Sequence, residues 1–85
     1  MPEISRFYGI SIYMFYKEHN PPHIHVEYQG YKGKIEIKSG RVIGKLPMKV
    51  QSLVKEWIEK NIREITFNWN QSVEKKQLLK IKPLD

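Results

Sequence analysis

Every histidine of the chain falls within the stretch His19-Asn20-Pro21-Pro22-His23-Ile24-His25-Val26-Glu27-Tyr28, and a carboxylate stands two positions beyond the last of them. Imidazole titrates near neutral pH and can either give or take a proton. From His23 onward polar and apolar residues alternate, which is the period of a half-buried strand. His23, His25 and Glu27 should therefore share one face, and Ile24, Val26 and Tyr28 the other. Pro21 and Pro22 disfavour helix, and Pro21 biases Asn20 toward an extended shape, so His19 precedes the strand on a stiff turn.

The chemistry best matched to these residue types is metal-independent cleavage of RNA. That reaction needs a base for the 2′-hydroxyl, an acid for the leaving oxygen, and donors or cations around the phosphorane. His19, His23 and His25 are the proton-transfer candidates, and Glu27 can orient a histidine or act as a base. Arg6, Lys32 and Lys34 are candidate phosphate contacts, and Tyr8 and Tyr13 can donate a hydrogen bond or stack on a base. No cofactor is required by this reading. A divalent metal on His19, His23 and His25, completed by Glu27, is the minor alternative, because a His-x-His strand spreads its side chains by two residue steps. The competing non-enzymatic reading is a nucleic-acid- or protein-binding module whose histidines only shape the turn. Trp57 and Trp69 stand at helical spacing and read as core anchors.

Length and composition frame these readings. Residues 1–85 suffice for a single domain with one modest core. Fifteen Lys and Arg against nine Asp and Glu give a formal charge of +6, which favours polyanionic or acidic partners. The chain has no cysteine, so disulfides and thiolate metal sites are excluded, in keeping with a reducing cytoplasm. No secretion signal or membrane-length apolar run is evident, so a cytoplasmic protein without membrane contact is expected.

The elements that must position the histidines follow from periodicity. Phe7 to Lys17 is rich in aromatic and β-branched residues and reads as one strand covered on both sides for part of its length. His23 to Tyr28 is a second strand. Tyr31 to Lys38 is a third, with Lys32, Lys34, Glu36 and Lys38 on its wet face. Ser39-Gly40 signals a hairpin into a short fourth strand over Arg41 to Gly44. Residues 1–45 thus read as an antiparallel meander of three to four strands. Pro47 then suits a helix start, and apolar residues recur at helical spacing from Val50 to Val73. An unbroken helix over residues 47–75 would be about 44 Å long, too long for this domain. A break is expected at Asn61, with Glu64 three positions on as in a capping box. Two helices, or one bent helix, over residues 46–76 should pack on one face of the sheet and can serve a homodimer, and residues 77–85 form a basic tail. The class is α+β. The helical stripe needs the Ile24/Val26/Tyr28 and Ile35/Ile37 faces, which leaves imidazoles, carboxylate and lysines together on the open side.

Several segments also resemble a known family. Ile4-Ser5-Arg6-Phe7-Tyr8-Gly9-Ile10, the His19-to-Tyr28 block, Gly44-Lys45-Leu46-Pro47, Val54-Lys55-Glu56-Trp57, Asn68-Trp69 and Ile81-Lys82-Pro83-Leu84 look like a small bacterial family catalogued as domain of unknown function 4160. The resemblance implies an assignment as the toxin of a type II toxin–antitoxin pair. Members are typically encoded beside a second small protein, and direct binding of that antitoxin-like partner would neutralise a growth-inhibiting activity. The resemblance brings no settled biochemical activity with it, so the RNA reading rests on the residues.

Overall fold

A computed structural model of the chain describes residues 2–85. Five antiparallel strands come first: β1 (Glu3–Phe7), β2 (Ile10–Tyr13), β3 (His23–Tyr28), β4 (Tyr31–Glu36) and β5 (Val42–Gly44). They lie side by side in chain order, and the helices α1 (Met48–Lys60) and α2 (Ile62–Val73) follow. The α+β class and the meander are as expected, but the strand count is five.

The extra strand comes from the segment read as one strand over Phe7 to Lys17. The chain reverses at Tyr8-Gly9, where both residues take positive φ (51° and 77°), and Phe7 pairs directly with Ile10. Two consecutive positive φ values define the tight turns preferred in hairpins, and Asn-Gly is their usual signature. Tyrosine in the first position hides that signal inside an aromatic run. The strand also ends at Tyr13, and Lys17 takes a positive φ of 61° in the loop that follows.

Residues facing each other across an antiparallel pair point to the same side. On one side Phe7 and Ile10, Ile12 and Val26, and Ile24 and Ile35 line up across the sheet. These six are buried and form the core with Met14, Leu46, Val50, Val54, Trp57, Ile58, Ile65 and Trp69. Both helices therefore cover this face. The opposite face keeps the row Tyr13–His25–Lys34–Ile43 and the row Arg6–Ser11–Glu27–Lys32.

The helix break falls at Asn61, as the length argument requires. Its chemistry differs from a capping box: no side chain caps the start of α2, and Asn61 Nδ2 donates backward to the Trp57 carbonyl at 3.0 Å. The asparagine therefore closes the end of α1, where carbonyls lack partners. The basic tail is docked on the domain. Ile81 N–H donates to the Ile4 carbonyl at 2.7 Å, Trp57 Nε1 donates to the Lys82 carbonyl at 2.8 Å, and Ile81 and Leu84 are buried. No helix among the described residues is long and apolar enough to cross a membrane.

Candidate functional site

The turn at Glu18 to Pro22 folds back on β3, through a cis Asn20–Pro21 peptide, and brings Glu18 against the two strand histidines. His23 Nδ1 lies 2.8 Å from the Pro21 carbonyl. A carbonyl can only accept, so Nδ1 carries a proton and Nε2 is the nitrogen turned toward Glu18. That Nε2 is buried without a hydrogen-bond partner, 3.5 Å from Glu18 Oε1. His25 Nε2 is hydrogen-bonded to the same Glu18 oxygen. The ligating atoms of Glu18, His23 and His25 all lie within 4.8 Å of one another.

Aromatic rings fix both imidazoles. Phe15 meets His25 edge-on at 4.3 Å between centroids, His25 meets His23 at 5.2 Å, and Trp69 of α2 lies 5.3 Å from His23. His23 is buried (8 % exposed), whereas His25 is partly open. These neighbours set the protonation. Burial pushes the Glu18 carboxyl up, but the hydrogen bond and charge of His25, together with the nearby His23 ring, outweigh it and hold the group below its usual 4.5. For His25 burial is the largest influence and lowers its value below the usual 6.5, although the Glu18 carboxylate pulls the other way. At neutral pH the pair is thus a carboxylate and a neutral imidazole, with the His25 Nε2–H donating to Glu18.

The structure gathers some of the residues singled out by sequence and separates others. His23 and His25 come together as expected. His19 is exposed on the turn and stands outside the Glu18–His23–His25 group, though it lines the same surface recess as Glu18, His23 and Lys34. Glu27 stands further along β3, opposite Ser11 and Lys32, and is also outside that group. Lys34 faces His25 across the strand pair, and Lys32 follows two positions away on the same face. Neither lysine forms a salt bridge among the described residues. Arg6 shares the face but is engaged by Glu3, with both Nε and Nη2 donating to Oε2 at 3.1 and 2.9 Å. Tyr13 lies on the face and stacks nearly parallel to Phe15 at 6.4 Å. Tyr8 does not join them: it is exposed in the β1–β2 turn and borders a recess shared with Val50 and Leu53 of α1.

Sequence reasoning missed Glu18, Phe15 and Trp69. Glu18 had a weak signal, a carboxylate just ahead of a proline-rich reversal. Trp69 had none, because its contact with His23 depends on the docking of α2.

Fold and site together define a small basic α+β protein with one helix-free sheet face and a two-histidine, one-carboxylate cluster at its end. The family described as "Domain of unknown function (DUF4160)" matches residues 9–70, and the chain belongs to that family. No curated protein and no solved structure matches the chain.

Proposed function

We propose that this protein is the RNA-directed toxin of a two-protein module, acting in the cytoplasm, and that it receives single-stranded RNA on its helix-free sheet face and cleaves it at the Glu18–His23–His25 cluster. One observation carries the reading: the half-buried Tyr13 and Phe15 and the cations Lys32 and Lys34 surround His25 on a face that the helices leave open apart from Trp69 against His23. Sheets that bind single strands combine exposed aromatics, on which bases stack, with cations that follow the phosphates. The unpaired Lys32 and Lys34 supply the cations, and the net charge of +6 draws a polyanion to the surface. The toxin role and the neutralising partner rest on the family resemblance alone.

The test is fluorescence anisotropy with a short labelled single-stranded RNA at several salt concentrations, with product lengths read on a gel. Each phosphate contact adds about 0.7 to the salt slope on a single strand, so Lys32→Ala/Lys34→Ala should lower the slope by about 1.4. An unchanged slope, or no binding by wild type, overturns the RNA reading. Glu18→Gln and His25→Ala should still bind but lose cleavage. Wild-type binding without cleavage would leave a binding module and remove the nuclease. Induced expression in a bacterial host reads the toxin role, with growth arrest expected from wild type and not from Glu18→Gln.

A further inference from the structure

We propose that Glu18, His23 and His25 form a binding site for a divalent transition-metal ion, of which Zn²⁺ is the best match. Two imidazoles and one carboxylate are a donor set that suits such ions and leaves coordination positions open for water or substrate.

The geometry is close to what a metal demands. With metal–ligand distances of about 2.0–2.2 Å, tetrahedral ligand atoms stand about 3.4 Å apart. His23 Nε2 and Glu18 Oε1 are 3.5 Å apart, and all three donor atoms fall within 4.8 Å. His25 Nε2 and Glu18 stand closer than that, in hydrogen-bond contact, and an ion entering between them needs that contact to open to about 3.4 Å.

The second observation concerns the inner histidine itself. His23 Nε2 is buried with no hydrogen-bond partner among the described residues, its neighbour Glu18 Oε1 standing 3.5 Å away. Buried polar atoms in native proteins are almost always satisfied, so an orphan calls for a ligand. The Pro21 carbonyl explains why this nitrogen and not the other faces the cluster: it takes the Nδ1 proton and fixes the tautomer, the role that outer hydrogen bonds play for metal-bound histidines. Phe15 and Trp69 then lock the two ring orientations. For His25 the proton on Nε2 has to move to Nδ1, which the neutral ring allows.

The ligand set differs from the one the sequence alone offers. Glu18 takes the place of His19 and Glu27, because the turn brings residue 18 back to the strand face. The recess lined by Glu18, His23, Lys34 and Glu36 gives small ligands access to the cluster. A metal there, beside Lys34, would act as a Lewis acid toward a phosphate oxygen, so cleavage becomes metal-dependent instead of depending on histidine acid–base chemistry. This last role rests on the RNA reading; ion binding itself does not.

The test uses the full chain stripped with a chelator and dialysed, titrated with ZnCl₂ by calorimetry and with CoCl₂ by visible absorption. One ion should bind per chain, raise Tm, and give Co²⁺ d–d bands. Glu18→Gln and His25→Ala, each first shown to be folded by circular dichroism, should weaken Zn²⁺ binding by at least about 100-fold. His19→Ala should bind as wild type does. Absence of binding by folded wild type overturns the proposal. So does unaltered affinity in both cluster variants, or loss of binding in His19→Ala. Every readout is taken without RNA, so failure of the RNA reading leaves this result standing, and the reverse holds too.

Discussion

Asn68→Ala should undock the C-terminal segment from α2. Asn68 is fully buried and holds Leu79 by both backbone groups: its Nδ2 donates to the Leu79 carbonyl at 2.8 Å, and its Oδ1 accepts the Leu79 N–H at 3.0 Å. Each such bond contributes about 1 kcal/mol net, so the substitution removes about 2 kcal/mol. The loss stays near that figure because Leu79 is exposed, and its freed backbone groups can turn to water. For a domain of this size 1 kcal/mol corresponds to about 4–8 °C, so Tm should fall by about 8–16 °C. Thermal circular dichroism reads that shift. Amide exchange reads its origin, since the Ile81 N–H, bonded to the Ile4 carbonyl, should exchange faster as the tail frays. A Tm drop under about 3 °C with unaltered Ile81 exchange would refute the latch.

Two further outcomes are expected. Acid should destabilise the metal-free protein: Glu18 and His25 both have folded pKa values below their unfolded ones, so the unfolded chain binds more protons and stability rises with pH. The contribution is complete above about pH 6.5, falls first as His25 of the unfolded chain protonates, and falls again below about pH 4.5 on account of Glu18. Tm measured across this range should decline toward acid, and a flat profile would contradict the assigned charges. Gly44→Ala should cost about 2 kcal/mol or more in urea denaturation, because φ is +102° there and a Cβ would stand 2.9 Å from both Gly33 Cα and the Lys32 carbonyl oxygen. A midpoint equal to that of wild type would show that β5 shifts without penalty.

The wet and dry faces of β3 and β4 were legible because period-two alternation is a local property, and pairing His25 with Lys34 keeps both on one side. The bend at Asn61 was legible from a length argument, although its hydrogen bonding was not. The β1–β2 reversal was hidden because tyrosine supplies the first positive φ. The cluster was half legible. The strand period places His23 and His25 together, but Glu18 reaches them through a loop whose path no periodicity encodes. Trp69 reaches His23 through tertiary packing between distant parts of the chain.

The contact between Trp69 and His23 has a consequence for biosynthesis. At roughly 5–20 residues per second, a ribosome needs roughly 2–9 s to travel from His25 to Trp69. Through that interval the nascent chain carries both histidines without the indole that walls off the inner one, and without the Ile81 bond that ties the last segment to the first strand. The inner histidine is therefore walled off only after α2 has been made and docked, well after its own strand exists.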